Sequence, residues 1–180
     1  MTLRRCACSL LLLALVVASP APARAEFTTA ISAGVYLPSG TSPYGSIQVR
    51  PTASLSVGWD SDYLGGAVWA GVVSTEAGFL LQETCFPVMA RVRGRLPLGW
   101  AVPFVYGGVG FAPARALINM VQHDTVAFTA QAGGGVELVF GDMFTIGAEA
   151  AYLWLSPSYP FGTVDLNGTL VLATFALRFP

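Results

Sequence analysis

Lysine is missing altogether: all nine basic residues are arginine. Charged residues make up only 11% of the chain, against roughly 25% in ordinary soluble domains. That scarcity excludes a broad solvated surface. Disorder is excluded as well, because it needs low hydrophobicity and high charge, and 54% of these residues are hydrophobic. One histidine and three cysteines are too few for a metal site, and no cofactor motif is present. Beyond the N-terminus no apolar run reaches the roughly 18 residues of a membrane helix. The chain is too apolar for a typical soluble domain and too interrupted for a helical membrane protein.

The N-terminal segment explains part of the apolar excess. Arg4 and Arg5 precede an apolar run at 9–18, and Ala23-Arg24-Ala25 follows a proline-rich stretch. A positive start, a short apolar stretch and a small-x-small site are the marks of a secretory signal peptide. The expectation is a signal peptide over residues 1–25 and one domain over 26–180. Without Arg4, Arg5 and Arg24, six arginines face ten acids, a net charge near −4. No basic patch suggests nucleic acid. Cys6 and Cys8 leave with the leader, so Cys85 stands alone and no internal disulfide is expected.

The remainder has a period of two and no capped helical run, which predicts strands throughout. Eight are expected, at about 27–37, 46–59, 65–75, 84–95, 100–113, 125–140, 143–155 and 166–179. Each is long enough to cross a bilayer when tilted. The connections alternate between long and short, as in outer-membrane barrels. ARALINMVQ, in the third long loop, suggests a short helix.

The strand faces divide cleanly. Val171, Ala173, Phe175 and Phe179 oppose Thr174, Ala176 and Arg178, with Leu170 and Leu172 on that second face; Val126, Phe128 and Val136 oppose Thr129, Gln131 and Glu137. A soluble barrel would need far more outward charge, so the apolar face is expected to meet lipid and the polar face to fill the lumen. Aromatics near the short turns (Trp59, Tyr63, Trp100, Phe140, Phe144, Phe179) and near the long loops (Tyr36, Tyr44, Phe111, Trp154, Tyr159, Phe161) suggest two interfacial girdles.

MARVRGRL places Arg91, Arg93 and Arg95 on the lumen face. Buried guanidinium groups need carboxylate partners. Counting from the shared turns puts Glu149 near Arg91 and Glu137 near Arg93 or Arg95, with Arg50 and Arg178 available from neighbouring strands. The expected network plugs and rigidifies the barrel; a rearranging gate for ions is the alternative.

Catalysis has one candidate constellation. His123-Asp124-Thr125 and Glu137 contain the residue types of a His–hydroxyl–Glu hydrolase. His123 is read as lying in the loop before the sixth strand. It and Glu137 bracket that strand, and fourteen residues at about 3.3 Å each separate them by roughly 46 Å. No triad assembles, and no enzyme is expected.

PFVYGGVGFA, then GGGVELVFGDMF and IGAEAAYLWL, resemble the small outer-membrane barrels of the OmpA/OmpX/OmpW type. Pro103, Phe104, Val105, Gly107, Gly108 and Gly110 match one strand motif; Gly133, Gly135, Val136 and Glu137 a second; Gly147, Glu149 and Tyr152 a third. The resemblance implies an all-β, eight-stranded, antiparallel up-and-down transmembrane barrel, a monomer in the outer membrane of a Gram-negative cell. Its implied partners are outer-membrane lipid, lipopolysaccharide and the barrel assembly machinery. Members of that group commonly end in a terminal aromatic which that machinery reads; here Phe179 is penultimate and Pro180 last, a departure from the pattern. A structural or surface-interaction role through long loops is expected, then a narrow porin-like channel for small or hydrophobic solutes, then a lipid-modifying enzyme.

Overall fold

A computed structural model describes residues 26–39, 48–77, 81–118, 121–160 and 162–179. The expected signal peptide, Ile47, Tyr44 and Phe161 lie outside these. Alternating sequence becomes alternating burial: Phe27, Ile31 and Val35 on β1 (Glu26–Pro38) turn outward, while Thr28, Ala30 and Tyr36 turn inward. The same period-two exchange runs through β2 (Arg50–Asp60), β3 (Leu64–Ala77), β5 (Val88–Arg95), β6 (Ala101–Ile118), β7 (Val121–Phe140), β8 (Phe144–Leu155) and β11 (Gly168–Phe179). Every neighbouring pair is antiparallel, and β1 closes on β11 with Phe27 opposite Phe179. The result is an all-β, eight-stranded closed barrel.

One of its eight staves is in two pieces. The segment expected as a strand over 84–95 is β4 (Leu81–Cys85) and β5, separated by Phe86 and Pro87. Proline has no N–H for the ladder. The sheet is bridged there by single bonds: the Phe86 N–H donates to the Pro113 carbonyl at 2.9 Å, and the Gly71 N–H to the Pro87 carbonyl at 3.0 Å.

At one end the staves are joined by short turns around Asp62, Gly99 and Gly141. Gly99 (φ 75°) and Gly141 (φ 63°) take the left-handed conformation that such turns demand. The other end, the mouth, departs from the loops read in the sequence. The described residues of the helix expected at 114–122 are strand: β6 runs to Ile118 and β7 begins at Val121, paired rung by rung from Ala101 opposite Leu138 to Ile118 opposite Val121. The alternation of inward Ala112, Ala114 and Ala116 with outward Phe111, Pro113, Arg115 and Leu117 overrides the helix propensity. His123 therefore stands on β7, not in a loop. The last connection carries a small hairpin, β9 (Ser158–Tyr159) and β10 (Gly162–Thr163).

Candidate lumen network and mouth plug

Outward, the wall is greasy. Val57, Val68, Val92, Val105, Val109, Ile146, Val171 and Phe175 form an exposed apolar belt. Trp59, Tyr63, Trp100, Phe140, Phe144 and Phe179 are exposed near the short-turn end, and Phe111 and Trp154 toward the mouth. Two expected girdle members are elsewhere: Tyr36 and Tyr159 are buried and point inward. Their phenol groups hold the mouth together instead, Tyr36 on the Leu166 carbonyl and Tyr159 on Glu83.

Inward, the lower half of the lumen is ionic. Arg93 stands at its centre. Its Nε–H donates to Asp60 Oδ1 at 2.6 Å, its Nη2 pairs with the other oxygen of Asp60, and its Nη1 donates to Glu137 Oε1 at 2.6 Å. Arg95 donates to Glu137 Oε2 at 3.2 Å, and Arg178 lies 3.6 Å from the same oxygen. Arg91 donates to Gln131 at 2.6 Å and lies 3.6 Å from Glu149. Fork-shaped guanidinium groups suit such divided pairing. Arg178 also lies 3.8 Å from Glu26, so four arginines share Asp60, Glu137, Glu149 and Glu26. Arg50 is not part of this group; it pairs with Glu76 on β3.

Glycine makes room for these long side chains. Arg91, Gly108 and Gln131 share one rung across β5, β6 and β7. A Cβ at Gly108 would come within 2.9 Å of the Arg91 side chain. Gly65 does the same for Asp60 and Arg93. A cavity of about 60 Å³ remains in this half, bordered by Ser32, Arg91, Arg93, Glu137 and Glu149. It has room for a few waters.

Above Arg91 the chemistry changes. Its guanidinium lies 4.2 Å from the Trp69 ring and 4.6 Å from the Tyr106 ring, a cation–π contact with each. Beyond this layer the lumen is apolar, which the expectation of a polar interior does not cover. Tyr36, Trp69, Val73, Met89, Leu153, Leu155, Val164, Leu166, Leu170 and Leu172 form one buried cluster. Part of it comes from Tyr159, Val164 and Leu166, in the segment 157–166, whose described residues fold back over the mouth. Tyr36 donates to the Leu166 carbonyl. The Leu166 N–H donates to the Leu155 carbonyl at 2.9 Å, and the Leu155 N–H to Asn167 Oδ1 at 2.8 Å.

One acid is enclosed there. Glu83 on β4 accepts the Tyr159 hydroxyl at 2.5 Å and faces the Cys85 thiol at 3.8 Å. Its rung lies beside that of Arg115 and Asp124, which pair at 3.0 Å on the outer surface with side chains 64% and 61% exposed. Glu83 thus sits above the apolar belt. Burial pushes its carboxyl up to about 7.

Sequence reasoning missed Asp60, Trp69, Tyr106 and Gln131 as partners of the arginines, and Glu83 entirely. Asp60 was discoverable: it continues the inward register of Thr52 and Ser56 by one more step. Tyr159 and Glu83 were not, since 76 residues separate them.

The sequence matches no protein-family model and no curated protein. The structure is similar to the crystal structure of Neisserial surface protein A, with TM-score 0.67, 13% identity and coverage of 86% of this chain and 97% of that one. It is also similar to that of the outer membrane protein OprG from Pseudomonas aeruginosa, with TM-score 0.61, 12% identity and coverage of 87% and 97%. At these identities the likeness is one of fold.

Proposed function

We propose that this chain is an outer-membrane barrel, closed by its own side chains, that serves a structural or surface-interaction role at its mouth end. The observation that carries the reading is inversion. Apolar side chains cover the outside, and paired charges fill the lower lumen, the arrangement that a hydrocarbon solvent selects. The β6–β7 hairpin supports the surface role. Its strands have 18 and 20 residues, well beyond the roughly 9–11 that cross a bilayer, so it stands clear of the membrane. Outer-membrane lipid and lipopolysaccharide are the partners of the belt, the barrel assembly machinery inserts it, and the working unit is a monomer. The reading is non-enzymatic: His123 and Glu137 occupy opposite ends of β7.

Membrane fractionation with a detergent gel tests this. The protein should sediment with outer membranes and migrate differently before and after boiling; a soluble, heat-indifferent band overturns the reading.

The cavity beside Arg91, Arg93, Glu137 and Glu149 favours a second reading, a narrow conduit. Planar-bilayer recording separates the two. A closed barrel shows no conductance in the parent, Glu137→Gln or Glu149→Gln, whereas a conduit changes its conductance in those variants.

A further inference from the structure

Among the described residues, Glu83 is the one acid of the mouth that is enclosed with neutral donors only. It is 1% exposed. Oε1 accepts from Tyr159, and Oε2 has no hydrogen-bond partner among the described residues. The six arginines of residues 26–180 are all engaged with other acids: Arg50 with Glu76, Arg91 with Glu149, Arg93 with Asp60 and Glu137, Arg95 and Arg178 with Glu137, and Arg115 with Asp124. The strands paired with β4 bring Thr75 from β3 and Ala116 from β6 to the rung of Glu83, neither of them titratable. Cys85 comes from β4 itself, Tyr159 from β9, and Tyr36 from β1, with Asp165 beside it from the segment before β11. His123 on β7 shares the rung of Glu83 across Ala116.

A neutral carboxyl fits this enclosure; a carboxylate does not. Ionisation would place a charge against apolar side chains with one hydroxyl donor and one weak thiol donor to solvate it. Tyr159 belongs to the segment that covers the mouth. The bond from Tyr159 to Glu83 ties that segment to the far wall.

We propose that the mouth plug is a proton-operated latch: residues 157–166 stay docked while Glu83 is neutral and loosen when it ionises. The sign follows from the weaker acidity of Glu83 in the docked state. A carboxyl whose value is lifted from 4.5 to about 7 contributes to docking fully below 4.5, and that contribution is lost as pH rises through about 7. Acid closes the mouth, and neutral to alkaline conditions favour its release.

Cys85 is a built-in reporter, being fully buried beneath the plug. The membrane-extracted protein is alkylated with iodoacetamide at pH 5 and pH 8, and modification of Cys85 is read by peptide mass. Parent and Glu83→Gln are compared at the same pH, so that ionisation of the thiol itself largely cancels. The latch predicts a parent-to-variant rate ratio of no more than a few-fold at pH 5 and one at least about tenfold higher at pH 8, within the range that a shift of this size allows. Tyr159→Phe keeps the acid and removes its donor. It should raise Cys85 labelling at pH 5 above the parent's, and it remains informative if Glu83→Gln fails to fold. Equal ratios at both pH values, or a Tyr159→Phe protein as protected as the parent, overturn the proposal.

Discussion

Glu137 receives Arg93 at 2.6 Å and Arg95 at 3.2 Å, with Arg178 at 3.6 Å. Its carboxylate is therefore the shared counter-charge of three guanidinium groups in a space with little water. Glu137→Gln keeps the shape and removes the charge. Breaking a buried ion pair from one side costs about 3–5 kcal/mol, because the partner charges stay behind. The expected outcome is a loss of about 3 kcal/mol in reversible urea unfolding from lipid vesicles. Asp124→Asn is the control. Its pair with Arg115 is open to solvent, and such pairs contribute little. Its unfolding midpoint should match the parent's. Equal midpoints for Glu137→Gln and the parent would mean that the lumen is wet enough to screen the charges.

The β6 strand reports where the belt ends, because it carries outward residues both inside it and above it. Val109 and Leu117 both point away from the lumen, eight residues apart. Arginine at the bilayer midplane costs about 2–4 kcal/mol, and near the interface about 0–1. Val109→Arg should lower stability by about 2 kcal/mol or more in lipid vesicles, and Leu117→Arg should leave it unchanged. Similar losses at both positions would extend the belt to the tip of the hairpin. The elements also show what the sequence makes legible. Period-two patterning fixes the faces of β2, β7, β8 and β11, since inward and outward environments differ so sharply in polarity. Strand ends are poorly specified by that signal. Cutting the second strand at Trp59 hid Asp60 from Arg93, and reading 114–122 by helix propensity hid the extension of β6 to Ile118 and the start of β7 at Val121. Tyr36 illustrates a different limit. An aromatic near a loop reads as an interfacial anchor, yet inward register and a carbonyl partner at Leu166 make it part of the plug.

As a whole, the barrel holds two closures in series, built on different physics. The lower one is ionic and contains the cavity; the upper one is the apolar plug of residues 157–166 with Leu153, Leu155, Leu170 and Leu172. Between them lies the Arg91 guanidinium against Trp69 and Tyr106. Ions must pass both, so opening either alone leaves the other intact. Replacing residues 157–166 by a flexible glycine–serine segment removes the upper closure and exposes Trp69 to the mouth, but the ionic layer still fills the section below. Arg91→Ala with Glu149→Gln removes the upper edge of the ionic layer, beside the cavity, as a neutral pair, leaving no uncompensated charge. In planar bilayers the loop replacement and the Arg91–Glu149 double variant should each be silent, while their combination should show discrete single-channel steps. Conductance from the loop replacement alone would make the plug the sole barrier and would demote the arginine network to wall reinforcement.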